Sequence, residues 1–278
     1  MEKKQKKRRK LGWPFWIFFG IFVASISFGA TYLIMIWKNS AIYGELQELS
    51  NTEDYNYVPD RHDPLPYVPP EPTPASDKTT EREREDIPVD FQALWDINHD
   101  AYAWITIPDT VIDYPILQSS GNLDDNYYLN HTIEYAGGFP GSLYTHTWNS
   151  RSFTDRNTII YGHDMLNGTM FGELDKYRDP DYAEEHKYIY VFLPDKILIY
   201  EVFASVTFSD VLIPAEFDFS TNEGLQEYLD EIAATRNMST YFRDDITVTG
   251  NSRILTLSTC NGNDSQRYLV EAVLIDEQ

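Results

Sequence analysis

The hydrophobic pattern of the chain begins with a long apolar stretch near its start. Residues 11–37 contain no charged side chain. As an α-helix this stretch would be roughly 40 Å long at about 1.5 Å per residue, whereas a bilayer core needs only about 20 apolar residues. The apolar core of a cleavable signal peptide is shorter, roughly 7–15 residues. The pattern therefore predicts a single uncleaved transmembrane helix over residues 11–37.

The next segment, residues 38–88, shows no periodic apolar pattern beyond residue 50, although residues 38–50 would extend the membrane helix by a few turns. Eight of the 15 prolines fall between Pro59 and Pro88, and the sequence EREREDIP adds charge. Runs of this composition favour extended polyproline geometry. We therefore interpret residues 38–88 as a passive, proline-rich acidic stalk outside the cytoplasm.

The rest of the chain, residues 89–278, has the pattern of a globular domain. Phe91, Leu94 and Trp95 recur at helical spacing and predict a short first helix. Runs rich in Ile, Val, Tyr, Phe and Thr then predict eight strands, at 104–107, 111–117, 142–146, 157–162, 187–193, 196–208, 253–260 and 266–275. Between the sixth and seventh strands, residues 222–236 have one apolar face and predict a second helix, with Thr221 as its N-cap. Eight short strands with few helices indicate a mostly β domain, a closed or nearly closed eight-stranded barrel.

Charge is distributed unevenly between the two sides of the apolar stretch. Residues 1–10 carry seven Lys or Arg and one Glu, a side-chain sum of +6, so that the formal net charge of −22 leaves −28 on residues 11–278. A body this acidic repels a phosphate backbone, so nucleic acid is not an expected partner. The basic tail, residues 1–10, is expected to stay cytoplasmic by the positive-inside rule, with the domain outside.

Cys260 is the only cysteine, so no intramolecular disulfide can form. One interpretation is a small buried hydrophobic residue. The other is a nucleophile, because RILTLSTC ends at Cys260 directly before the turn-rich NGNDSQ, and a strand end beside a loop favours exposure. If QRYLVEAVLI pairs with this strand as a hairpin, Arg267 lies near Cys260. A guanidinium there favours a thiolate or holds an oxyanion, although a solvated arginine at a strand start is the plainer interpretation.

His163 is the leading candidate for a base among the six histidines. It follows the apolar strand 157–162, and Gly162 allows a tight turn before it. If the strands at 157–162 and 253–260 are adjacent and parallel, their carboxyl ends meet and His163 faces Cys260, an arrangement suited to acyl transfer. The other histidines have plainer interpretations: His62 in the stalk, His99 and His186 at the surface, and His131 and His146 packed. No HxxxH, CxxC or calcium-loop spacing occurs, so neither a metal nor a cofactor is expected.

Several segments, in this order along the chain, resemble the signature segments of sortases. They are TIIYGHDMLNGTMFGEL (158–174), TLSTC (256–260) and Arg267 seven residues further on. WITIPDTVIDYPILQ (104–118), YYLNH (127–131) and the helix at 222–236 are most similar to class B. The resemblance covers roughly residues 90–275 and implies a sortase-type β-barrel there, which the predicted transmembrane helix precedes.

The resemblance also implies roles for individual residues. Cys260 would be the nucleophile, His163 the general acid and base, and Arg267, with the Asn261 backbone N–H, the oxyanion donors. Ser258 is similar to a substrate-contacting position. The implied substrate is a secreted protein with a C-terminal sorting pentapeptide, cleaved at a Thr–X bond and transferred to a cell-wall amine.

Two other classes of function remain open from the sequence. A secreted cysteine hydrolase or peptidase would use the same three residues but transfer the acyl group to water. A non-catalytic anchored binding module would use the stalk only to display a β-domain.

Overall fold

The structure of the chain is a computed structural model. It describes residues 12–52, 55, 57–60, 62–70, 87–236, 240–260 and 265–278, and at Cys260 it describes the main chain. Five α-helices lie in these residues: α1 Trp13–Gln47, α2 Phe91–Ile97, α3 Pro180–Glu185, α4 Ile213–Glu216 and α5 Asn222–Ala234. Two 3₁₀ turns, Tyr127–Asn130 and Leu174–Arg178, lie in the connections.

The strands form one sheet that closes on itself. They are β1 Ala101–Thr106, β2 Asp113–Gln118, β3 Leu143–Thr145, β4 Asn157–Gly162, β5 Tyr188–Phe192, β6 Ile197–Ser209, β7 Tyr241–Phe242, β8 Ile254–Cys260 and β9 Gln266–Glu277. The order is β5-β1-β2-β3-β4-β8-β9-β6, and β6 pairs back with β5. The predicted eight-stranded barrel is therefore confirmed.

The differences from the predicted elements are local. β1 starts at Ala101, three residues before the predicted start. The pattern does not predict this part of the strand because two alanines there lack the branched and aromatic character of strand residues. The two-residue β7 pairs with the outer edge of β6 and is too short to show a period. The helix between the sixth and seventh predicted strands is confirmed as α5. Its N-cap is also confirmed, since Thr221 Oγ1 accepts a hydrogen bond of 3.0 Å from Gly224 N.

α1 contains the candidate membrane span, because it is long and apolar enough to cross a bilayer. Its last turns leave the apolar stretch and pack on the barrel, where Tyr43 and Leu46 are buried. The bond of 3.1 Å from Gln47 Nε2 to the Asp113 carbonyl attaches the end of this helix to β2. α1 is therefore a single helix that joins the candidate membrane span to the domain.

The described part of the predicted stalk runs along the barrel surface. Leu65 N donates to the Leu274 carbonyl at 2.8 Å, and Tyr67 N donates to the Asn251 carbonyl at 2.6 Å. His62 Nδ1 lies 3.0 Å from a carboxylate oxygen of Glu201, which is fully buried in β6. This part of the chain thus makes specific contacts that its proline-rich composition does not predict.

Candidate active site

The ends of three neighbouring strands bring the predicted site residues to one rim of the barrel. β4 and β8 pair in parallel, with Gly162 level with Thr259, so that His163 and Cys260 are the next residues on adjacent strands. β8 and β9 pair antiparallel, with Cys260 opposite Arg267. Adjacent strands lie about 4.8 Å apart. We call the ends that carry His163, Cys260 and Arg267 the strand-end rim.

A glycine immediately precedes His163, and close packing accounts for it. Gly162 is not among the residues with a positive φ, so its backbone conformation does not itself require glycine. A Cβ atom there would instead lie 2.4 Å from a Leu143 methyl and 2.8 Å from the Phe171 ring. Only glycine lets these two buried side chains approach the end of β4 so closely.

The surroundings of His163 fix its ring at the rim. Its carbonyl accepts a hydrogen bond of 3.0 Å from Phe171 N, and its ring centroid lies 4.7 Å from that of Phe139. Burial lowers the pKa of His163, and a backbone hydrogen bond with Leu129 opposes this in part. Nε2 is buried and has no hydrogen-bond partner among the described residues. These surroundings therefore favour the neutral imidazole over the imidazolium.

Thr259 ties the ends of β4 and β8 together. Its Oγ1 donates a hydrogen bond of 2.8 Å to the Gly162 carbonyl, directly before the two rim residues His163 and Cys260. No sequence pattern singles out Thr259. Its position beside Cys260 was the available signal, but the partner became apparent only with the parallel register.

Arg267 has a specific partner that the sequence pattern does not indicate either. A guanidinium nitrogen lies 2.6 Å from a carboxylate oxygen of Asp210, in the residue directly after β6. A second nitrogen donates to the Gln266 carbonyl at 3.0 Å. Arg267 is therefore a partly exposed, oriented donor at the rim and not merely a solvated side chain at a strand start.

The remaining predicted site residues stand as follows. Ser258 lies in β8 opposite Leu269, two residues before Cys260, and is only 3% exposed. Asn261 lies outside the described residues, as does the side chain of Cys260. The structure thus places Ser258 close to the rim along β8, but buried.

The other histidines lie in different settings. His131 stacks on Tyr127 with centroids 3.8 Å apart, and His146 Nε2 lies 3.0 Å from Asn126 Oδ1. Burial lowers the pKa of His146. His99 is exposed, but the surface position predicted for His186 is wrong, since it is 8% exposed beneath the Pro108 carbonyl. In the part of the chain that the structure covers, no three His, Cys, Asp or Glu form a candidate metal cluster.

Comparison with known proteins settles the family. A model of the sortase domain family matches residues 105–275, which include the end of β1, all of β2 to β8 and most of β9. The chain belongs to the sortase family. Sortases are cysteine transpeptidases that act on sorting-signal substrates, and so this chain is an enzyme of that class.

The relatives found are class B sortases. Sortase B of Listeria monocytogenes is 34% identical over 188 residues, covering 66% of this chain and 72% of the relative. Crystallised sortase B from Bacillus anthracis in complex with AAEK1 is 27% identical, with a TM-score of 0.65 over 88% of this chain and 99% of that one. A Staphylococcus aureus sortase B–substrate complex is 29% identical, with a TM-score of 0.57 over 67% and 84% of the two chains. The resemblance to class B is therefore confirmed.

Proposed function

We propose that this sortase is membrane-anchored and cleaves a C-terminal sorting motif of secreted proteins at a Thr–X bond. Cys260 forms a thioester with the threonine carbonyl, and a cell-wall amine then accepts the acyl group. The amine belongs to a peptidoglycan precursor or cross-bridge. No cofactor takes part in these steps.

The observation that carries the proposal is the register of three adjacent strands. His163 follows the residue paired with Thr259, and Cys260 is itself paired with Arg267. This register supports the proposal that a base, a nucleophile and a charged donor lie side by side along the strand-end rim, at strand spacing. Acyl transfer by a thiolate requires these three kinds of group within reach of one carbonyl.

The first half of the reaction forms the thioester and releases an amine. The Cys260 thiol gives its proton to the neutral His163, and the thiolate attacks the threonine carbonyl carbon. Arg267 and the Asn261 backbone N–H stabilise the resulting oxyanion, and removal of one such donor typically costs about 10²–10³ in rate. The C–N bond then breaks, and the imidazolium of His163 gives its proton to the leaving amine.

The second half reverses the proton transfer with a new amine. The acceptor nitrogen attacks the thioester carbonyl while His163 takes its proton, and the C–S bond breaks to release the Cys260 thiolate. The lowered pKa of His163 supports this role, because a base must be unprotonated when the acceptor arrives. Substrate contact through Ser258 belongs to the same proposal.

The membrane topology is also part of the proposal. The basic residues 1–10 stay in the cytoplasm, residues 11–37 span the bilayer, and residues 38–278 lie outside. The support is the apolar length of α1 and the charge of the tail. Protease digestion of sealed right-side-out vesicles should degrade the domain and leave the tail; full protection of the domain would reverse the orientation.

The reaction is tested with the full chain in detergent micelles and a library of sorting-type peptides. Mass spectrometry should detect an acyl adduct on Cys260, and triglycine should convert it to an amide product. Cys260→Ala should form no adduct while keeping its fold, and His163→Ala should lose turnover. An adduct released only to water identifies a hydrolase; turnover by Cys260→Ala excludes the proposed nucleophile. An unchanged rate for His163→Ala would assign the base to His131 or His146.

A further inference from the structure

The end of α1 holds the loop that packs against His163. Asn39, two residues beyond the apolar stretch, donates from Nδ2 to the Phe139 carbonyl at 3.0 Å and to the Gly137 carbonyl at 3.3 Å. These bonds join residues about 100 positions apart in sequence. We call residues 137–142, which follow the 3₁₀ turn Tyr127–Asn130 and lead into β3, the 137–142 loop.

Further contacts fasten the same loop to α1. The Tyr43 hydroxyl, one helical turn after Asn39, bonds the Gly141 carbonyl and lies 2.9 Å from Ser142 Oγ. Gly138 adopts φ +105°, and a Cβ atom there would lie 2.8 Å from the terminal methyl of Met35. Met35, Asn39 and Tyr43 are spaced four residues apart, so they lie along one face of α1. The loop therefore follows this face for two helical turns.

The other side of the 137–142 loop faces the strand-end rim. The Phe139 ring lies 4.7 Å from the His163 ring at an interplanar angle of 55°. Its own backbone carbonyl is the group that Asn39 holds at 3.0 Å. Hence a single residue receives the α1 hydrogen bond through its main chain and contacts the imidazole through its side chain.

We propose that Asn39 and Phe139 are positioning residues for His163, through which the juxtamembrane end of α1 sets the orientation and hydration of the imidazole. This role rests on the proposed function, in which His163 exchanges protons with Cys260 and the substrate amines. It adds to that function a coupling between the candidate membrane span and the strand-end rim.

The physical basis is the flexibility that the loop would otherwise have. Gly137, Gly138 and Gly141 give the 137–142 loop wide backbone freedom, which the bonds from Asn39 and Tyr43 remove. A fixed Phe139 limits rotation of the His163 ring and keeps water from one of its sides. A catalytic group held in one geometry loses less entropy in the transition state, whereas small misplacements slow the reaction.

Alkylation of Cys260, the lone cysteine, is a measurement that would not change if Asn39 and Phe139 had a purely structural role. Alkylation of the full chain in micelles reports the thiolate fraction of Cys260 alone, and its pH dependence changes when the neighbouring imidazole changes. Peptide acylation gives kcat and KM in parallel. The variants are Asn39→Ala, which removes both donors, Asn39→Gln, which retains an amide donor, and Phe139→Leu, which removes the ring.

Gln47→Ala is the matched control. Gln47 lies on the same helix and makes the same kind of amide-to-carbonyl bond, but to Asp113 in β2 and not to the 137–142 loop. Circular dichroism of every variant establishes that the domain is folded at the assay temperature.

Asn39→Ala and Phe139→Leu should lower kcat roughly threefold to tenfold, the range given by one ordinary hydrogen bond, with KM within about twofold. Water admitted beside the ring should raise the pKa of His163 towards its ordinary value, so the alkylation and kcat profiles shift along the pH axis. Asn39→Gln should recover much of the loss, and Gln47→Ala should match the parent.

The outcomes separate this inference from the proposed function. A parent chain that forms no acyl adduct overturns the proposed function. A parent that forms the adduct, with folded Asn39→Ala and Phe139→Leu retaining its kcat and alkylation profile, overturns the positioning role alone. Equal shifts in Gln47→Ala would also overturn it, because they would trace the effect to helix docking in general.

Discussion

The carboxylate of Asp210 lies 2.6 Å from the guanidinium of Arg267, at the point where β6 ends and β9 begins. The backbone strengthens this relationship, since Asp210 N donates to the Ser265 carbonyl at 3.1 Å. Both side chains are partly exposed, 30% for Arg267 and 39% for Asp210, so the ion pair adds little to stability. The ion pair instead affects the orientation of Arg267, because the carboxylate restrains its planar guanidinium beside the proposed oxyanion.

Asp210→Ala should therefore impair the reaction without unfolding the domain. We expect kcat for acylation to fall roughly threefold to tenfold, since a donor that is no longer oriented stabilises the oxyanion less. The melting temperature should stay within about 2 °C of the parent's, as for other exposed ion pairs. Asp244→Ala removes a comparable exposed pair with Arg236, at 3.0 Å and away from the rim, and should change neither quantity. A parent-like kcat for Asp210→Ala would mean that Arg267 needs no orienting partner.

Sequence patterns predict the strands of the barrel because these depend on properties of single segments. Strand alternation, the helical face of α5 and the position of Cys260 before a loop can be read without knowing any partner, whereas the strand-end rim also requires the pairing of β8 with β4 and β9. The contacts of Asp210, Asn39 and His62 join segments that lie far apart in sequence. No periodicity encodes such pairs, and they become apparent only after the sheet has closed. The same limitation applies to the contacts of the proline-rich segment with the barrel, which composition does not predict.

Thr259→Val tests the link between the two strand ends. Valine has nearly the same shape and suits a strand, but it cannot donate to the Gly162 carbonyl. We expect a loss of about 1 kcal/mol in the free energy of unfolding, the net value of one hydrogen bond. The kcat of the folded enzyme should fall as well, because the bond sets the distance between Gly162 and Thr259. His163 and Cys260 come directly after these two residues.

A second buried threonine provides the control for this substitution. Thr145 is fully buried at the end of β3, where its hydroxyl lies 2.8 Å from that of Tyr102 and accepts a hydrogen bond of 3.1 Å from Gln118 Nε2. Thr145→Val should cost at least as much stability but leave the kcat of the folded fraction unchanged. Denaturant titration and acylation kinetics on both variants give the comparison. A kcat of Thr259→Val equal to that of Thr145→Val would contradict a role for Thr259 at the rim.

Gly162→Ala tests the close packing before His163. The added methyl would lie 2.4 Å from Leu143 and 2.8 Å from Phe171, two side chains with no exposed surface. We expect the free energy of unfolding to fall by about 1–3 kcal/mol, as for other overpacked cores. Gly44→Ala in α1 meets no atom within 4 Å and should be neutral or slightly stabilising, because alanine favours a helix. A stability of Gly162→Ala equal to the parent's would show that the neighbours move freely.

Glu271 is a buried carboxyl whose protonation should control stability near neutral pH. Its oxygens accept hydrogen bonds of 2.7 Å from the Tyr228 hydroxyl and 2.8 Å from Thr256 Oγ1, and the side chain has no exposed surface. Burial raises the pKa of Glu271 to about 7, against an ordinary value of 4.5. The folded state thus binds this proton more tightly than the unfolded state. The stability that it contributes is fully present below pH 4.5 and is lost as the pH rises through about 7.

Glu271→Gln should remove this dependence, because glutamine has the shape of the protonated acid and stays neutral. In the parent, the free energy of unfolding should fall from pH 5 to pH 8 by up to about 3 kcal/mol from this group; in Glu271→Gln, that part of the slope should vanish. Denaturant titrations across this pH range measure it. Glu227→Gln, on the exposed face of α5, makes the same chemical change outside the network and should retain the parent's slope. If Glu271→Gln retains the parent's full slope of unfolding free energy against pH, the carboxyl that titrates is a different one. The contact of Tyr228 with β9 would then hold α5 on the barrel independently of pH.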